Sequence, residues 1–169
     1  SETASDAGQF TVTQTAVSST ATVVTYSVAG TATASTDYTA LTGTVTIDAG
    51  MTTATIDVSG IVDDSVVELD ETVIVTLTGF SSGDAEVTLD ADSADRTATV
   101  TIADNDSATI TIGNTSVTEG GDLVFTVSTN NQIDTDVIID VSFVDVSTEG
   151  SADFADSGQQ ITLDANSSS

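Results

Sequence analysis

Apolar residues recur at every second position through most of this chain, with Thr, Ser and Asp between them. That period puts one set of side chains on each face of an extended strand. The runs are Phe10 and Val12; Val24, Tyr26 and Val28; Val45 and Ile47; Ile56 and Val58; Val73, Val75 and Leu77; Val87 and Leu89; Val100 and Ile102. After a short acidic junction they resume at Ile110 and Ile112, then Leu123, Phe125 and Val127, then Val137 to Phe143, then Ile161 and Leu163. Gly, Asp and Ser turns separate the runs, and Thr supplies solvent faces of good strand propensity. The pattern predicts an all-β protein of antiparallel sheets with one buried face, the arrangement of a β-sandwich.

An internal repeat sets the organisation. Residues Ser35 to Gly50, STDYTALTGTVTIDAG, align without a gap to Ser151 to Asn166, SADFADSGQQITLDAN, at a spacing of 116. Asp37 then matches Asp153, and Tyr38 matches Phe154. Upstream, Glu2 and Phe10-Thr11-Val12 parallel Glu119 and Phe125-Thr126-Val127. A spacing of this size is one domain length. The expected division is residues 1–106 as one repeat lacking its first strand, and residues 107–169 as the N-terminal part of a second. Half a sandwich leaves strand edges unpaired, so the second part is expected to be unstable alone. Two arrangements resolve this: a stretch of a longer tandem array, or a self-assembling filament subunit completed by strand donation from a neighbour.

Composition narrows the chemistry. The 169 residues carry 27 Asp plus Glu against a single basic residue, Arg96, for a formal net charge of −26, with no His, Cys or Pro. Lysine chemistry, thiol nucleophiles, imidazole bases and Cys/His zinc sites are excluded. Phosphate backbones and anionic lipid heads are repelled, so neither nucleic acid nor a membrane is an expected partner. Cations are. Hydrophobic residues nonetheless make up 38% of the chain, enough for a folded core rather than an acidic disordered tail. No apolar run approaches the roughly 18 residues that cross a bilayer, and Ser1 opens without the features of a signal peptide. The chain reads as a segment of something longer.

The sharpest feature is Asp63-Asp64-Ser65-Val66-Val67-Glu68-Leu69-Asp70-Glu71, five carboxylates in nine residues. Calcium takes six to eight hard oxygen ligands, and one such loop supplies both charge and ligands. Without a cation, two charges 4 Å apart repel by about 4 kcal/mol at an effective dielectric near 20. The EF-hand spacing is absent. The same block also fits a solvated acidic face, Asp37 a turn-forming Asp before a buried Tyr, and Asp104-Asn105-Asp106 a simple turn.

In order along the chain, Tyr26-Ser27-Val28 with Gly30-Thr31-Ala32, Thr36-Asp37-Tyr38, Gly43 to Gly50, the Asp63 to Thr72 block and Ala103-Asp104-Asn105-Asp106 together resemble the Calx-beta domains. These are named for a sodium-calcium exchanger and are common as tandem repeats in bacterial surface proteins and adhesins. The resemblance covers nearly all of residues 2 to 106. It implies an immunoglobulin-like antiparallel β-sandwich in tandem repeats, with Ca2+ bound among the loops at one end. The ligand positions it implies are Glu2, Asp37, Asp63, Asp64, Glu68, Glu71, Asp104 and Asp106. Asp70 lies outside that set, as a side chain free to face solvent. The expected function is a calcium-binding structural or extender module of an extracellular adhesin, surface array or filament at the cell surface, stiffened by calcium at the loop end and inter-domain junction. Its expected partners are calcium ions and neighbouring repeats or subunits, as a tandem array or homo-oligomer. A calcium-sensing regulatory module is the alternative that binding affinity separates from it. An enzyme is not expected, because crowded hydrated carboxylates lack the apolar pocket that raises an acid's pKa.

Overall fold

Among the described residues ten strands follow the alternation, and the only helical feature is a single 3-10 turn at Ala94–Arg96. The structure, a computed structural model, describes residues 7–118, 121–143 and 158–166. Glu2, Glu119, Asp153 and Phe154 lie outside the described residues. No helix among the described residues is long and apolar enough to cross a membrane. The chain divides into two units, one made of Ser1–Asp64 with Leu69–Asn105, the other of Ser65–Glu68 with Asp106–Ser169.

The first unit holds β1 (Gly8–Thr13), β2 (Thr22–Gly30), β3 (Thr44–Ile47), β4 (Thr53–Val58), β5 (Glu71–Ser82) and β6 (Thr97–Ile102). One sheet pairs β1 with β4; the other runs β3-β2-β5-β6, with every neighbour antiparallel. Alternate residues of both sheets turn inward into one cluster: Phe10, Val12, Ile56 and Val58 from the first, and Val24, Tyr26, Ile47, Val73, Val75 and Ile102 from the second. The unit is therefore an antiparallel β-sandwich. Each Val or Ile so buried contributes about 1.5–3 kcal/mol relative to an exposed position.

Antiparallel pairing sorts the loops between two ends. Gly30 sits opposite Val73, Glu71 opposite Ile102 and Gly8 opposite Val58. Hence the β2–β3 connection (31–43), the β4–β5 connection (59–70) and the exit from β6 (103–105) emerge together. The β1–β2, β3–β4 and β5–β6 connections emerge at the other end. Two register shifts in the β2–β5 ladder, between Val23 and Val24 and between Thr25 and Tyr26, bulge β5 near its end. Bulges bend and twist a strand, which re-aims Phe80 and its neighbours.

Val87 and Leu89 are not a strand, although their spacing predicts one: no strand lies between Ser82 and Thr97. Local hydrogen bonds account for the difference. Asp84 Oδ1 accepts from the Glu86 amide at 3.1 Å, Asp90 Oδ1 from Asp92 at 2.8 Å, and Asp92 Oδ1 from Ala94 at 2.9 Å. Three successive Asp-capped turns occupy the backbone amides that a ladder would need.

In the second unit β7 (Ile110–Ile112) pairs with β8 (Val127–Thr129), and β9 (Val137–Val141) with β10 (Gln159–Leu163). Leu123, Phe125 and Phe143 fall outside these strands, so two predicted runs are shorter than their periodicity. The β9–β10 register puts Val137 opposite Leu163 and Ile139 opposite Ile161; β2–β3 puts Thr22 opposite Ile47 and Val24 opposite Val45. The aligned segments thus carry the same pairing. Ile133 and Leu163 are the buried large apolar residues among those described in this unit, while Ile110, Ile112, Val124 and Ile138 are exposed.

Candidate metal centre

The β2–β3 loop begins where Gly30, at φ +126°, turns the chain off the end of β2. A reciprocal set of bonds holds that turn to the start of β5. Thr31 Oγ1 accepts from the Thr72 amide at 2.8 Å, Thr72 Oγ1 accepts from the Thr31 amide at 3.2 Å, and the Ala32 amide donates to the Thr72 carbonyl at 3.1 Å. Further on, Asp37 Oδ2 accepts from the Thr33 amide at 2.5 Å, closing a tight turn. Ser35 adopts φ 71° within it. Asp37 therefore does the turn-forming work the sequence allows, and its carbonyl accepts from the Val62 amide at 3.0 Å. That bond ties the β2–β3 loop to the first residues of the acidic block.

Tyr38 follows Asp37 and is 3% exposed. Burial, and then the neighbouring Asp37 charge, raise its phenol above the ordinary value of 10.0. Both causes disfavour the phenolate. With the folded pKa above the unfolded one, the stability this neutral phenol contributes is complete below about pH 10 and is lost as pH climbs through the folded value. Urea midpoints should therefore fall as pH rises past about 10, and Tyr38→Phe should flatten that slope. An equally steep loss in the Phe variant would assign it to other groups.

The acidic block is pinned to the β6 exit at two places. Asn105 Nδ2 donates to Asp63 Oδ1 at 3.1 Å, and the Asp104 amide donates to Asp70 Oδ1 at 3.2 Å. Glu71 opens β5 opposite Ile102. Asp37, Asp63, Asp64, Glu71 and Asp104 are thus delivered to one end of the first unit by three separate chain segments. Glu68 and Asp106 belong to the second unit, and Glu2 is outside the described residues. Asp70 is exposed and also accepts from the Asp104 backbone amide. In the sequence Asn105 stands out only as part of an Asp-Asn-Asp run; its amide, lying between two acids, is the readable signal for this bridge.

The donor set suits a hard divalent cation, being made entirely of carboxylate and amide oxygens. Its geometry is open: among the described residues no three acidic side chains converge closely enough to hold an ion. Several of the oxygens are engaged by backbone and Asn amides instead.

A β-sandwich by itself fixes no function, which rests on the groups its loops bring together. The family model of the Calx-beta domain matches residues 1–106, and the chain belongs to that family. Two crystal structures of similar chains are titled as the calcium binding domain CBD12 of CALX1.1 and CBD12 from CALX1.2. The first is 23% identical, with a TM-score of 0.49, covering 96% of this chain and 65% of that one. The second is 22% identical, with a TM-score of 0.49, covering 96% and 66%. This chain thus spans just under two-thirds of the length of each. No curated protein matches the chain.

Proposed function

We propose that this chain is a calcium-dependent extender module, working outside the cell as part of a tandem array. The observation that carries the reading is the delivery of Asp37, Asp63, Asp64, Glu71 and Asp104 to one end of the first unit, with the acidic block bonded to the β6 exit through Asp63 and Asp70. Membership of the Calx-beta family supports calcium as the cation. Glu68 and Asp106 belong to the second unit and Glu2 lies outside the described residues, so the reading rests on the other five.

The mechanism is electrostatic. Bound calcium supplies two positive charges and a demand for six to eight oxygens. Asp63 and Asp64 of the β4–β5 loop, Asp104 of the β6 exit and Asp37 of the β2–β3 loop are the residues that would hold it. Asp70 and Asn105 are positioning residues, since they fix the two segments the ligands come from. Cross-linking loops that otherwise repel one another stiffens the end of the sandwich and the chain leaving it. A spacer exposed to millimolar calcium needs no tight site, whereas a sensor does.

Isothermal calorimetry with paired thermal melts tests this on the whole chain and on Asp63→Ala combined with Asp64→Ala. The expected Kd is roughly 10⁻⁴ to 10⁻³ M, the range of extracellular calcium modules. Saturation at about 100-fold excess over Kd then adds about 2.7 kcal/mol to stability, and the double variant loses most of that gain. A Kd of roughly 10⁻⁷ to 10⁻⁵ M would reassign the module to sensing. No heat and no shift at several-millimolar calcium would leave the acidic block as a solvated face.

A further inference from the structure

Two adjacent β-branched residues, Val66 and Val67, sit in the middle of the acidic block, and a cation site has no use for them. Branching at Cβ favours extended backbone. Residues 66–68 are half-buried, whereas residues 62–65 before them and 69–70 after them are exposed. They are also part of the stretch that belongs to the second unit, which the chain enters at Ser65 and leaves after Glu68.

Inside that unit Val67 pairs as a strand does. Its amide donates to the Gln132 carbonyl at 2.9 Å, and its carbonyl accepts from the Asp134 amide at 3.1 Å. This is the bonding of a parallel ladder one residue long, with Val67 beside Ile133. The Ile133 carbonyl in turn accepts from the Asn166 amide at 2.7 Å, and the Gln132 side-chain amide donates to the Asn166 carbonyl at 2.8 Å. Just upstream, Asn130 Oδ1 accepts from the Thr109 amide at 2.6 Å, and Asn131 Nδ2 donates to the Ser107 carbonyl at 2.8 Å. Residues 130–134 therefore gather the segment before β7, the segment after β10 and Val67 at one place. Ile133, at the centre, is 5% exposed. Ile133 and Leu163 are the large apolar side chains buried among those described in this unit, so its closure depends heavily on these backbone bonds.

We infer that Val67 is a clasp: a one-residue strand, supplied by the acidic block, that holds the second unit closed through its two peptide groups. Residues 106–169 are then not a self-contained half-repeat. Their opening is governed from the β4–β5 loop, and the conformation of the acidic block sets the stability of the β9–β10 pair. The clasp works with or without a cation in the block, since both of its bonds are made by backbone.

Native-state hydrogen exchange on the whole chain, with calcium chelated, tests this in Val67→Pro and Val67→Ala. Proline removes the amide that donates to Gln132; alanine keeps both peptide groups and shortens only the side chain. In Val67→Pro the Asn166 amide and those of β9 and β10 should exchange about tenfold faster or more, the factor for losing one or two backbone bonds. The amides of β2 and β5 should stay within about twofold of the parent, and Val67→Ala should leave the second unit within about threefold. Chelation separates this outcome from the calorimetry, so either reading can fail alone. The inference is overturned if Asn166, β9 and β10 are unprotected in the parent, or if Val67→Pro leaves them as protected as the parent does. It is overturned equally if β2 and β5 lose as much protection, or if Val67→Ala opens the second unit as far as the proline variant.

Discussion

Gly30→Ala is expected to destabilise the chain by about 3 kcal/mol, the scale set by a strained backbone combined with a forced steric shift. Gly30 closes β2 at φ +126°, a conformation that residues with a side chain rarely adopt. A Cβ there would also run into the Thr72 carbonyl oxygen, which is backbone and has nowhere to move. That same carbonyl accepts from the Ala32 amide, and the Thr72 amide and hydroxyl are bonded to Thr31. Pushing Thr72 away breaks these bonds and moves Glu71, the next residue and a proposed ligand. Gly50→Ala is the control: Gly50 has φ +79° but nothing within 4 Å of its would-be Cβ. It should cost only about 1 kcal/mol, for conformation alone. Urea denaturation of the two variants separates the terms. Equal losses would mean that the contact at Thr72 is easily relieved.

The second large effect is expected in the core beneath the candidate centre. Ile102, 2% exposed on β6, packs in the cluster shared by both sheets, pairs with Glu71, and lies two residues before Asp104. Ile102→Ala removes three carbons from a site that β5 and β6 hold in register. The loss should be about 3 kcal/mol, the sum of lost burial and the cavity left behind. Leu69→Ala, at a side chain 69% exposed in the acidic block, should stay within about 0.5 kcal/mol. Denaturant midpoints measure both. A small loss at Ile102 would show that the sheets close readily over the gap, and so that the end carrying the carboxylates is pliable.

The strands were legible where local physics settles the question. Val24 and Tyr26, Val45 and Ile47, and Val73 and Val75 all turn inward as alternation requires, because the side-chain period of a strand is two whatever it pairs with. Val87 and Leu89 depart from the alternation for an equally local reason: the Val87 amide goes to the Asp84 carbonyl, and Asp84, Asp90 and Asp92 around them bond backbone amides two residues on. Of the candidate centre, the acidic block and the Asp-Tyr pair stood out from their residue types. Asp70 did not, since whether a surface carboxylate meets water or the Asp104 amide depends on a loop 34 residues away.

Sequence by itself determined that the chain is all-β, that it carries a recurring segment, that its charge favours cations over phosphates, and which family it resembles. These follow from periodicity, charge and ordered motifs, which are properties of the chain read in a line. Tertiary structure alone decided that β1 pairs with β4 while β2 lies between β3 and β5. Pairing depends on which faces meet across long loops, and many partners satisfy the same alternation. From that pairing comes the consequence for the candidate centre: antiparallel order sends the acidic loops to one end of the first unit and Arg96 to the other.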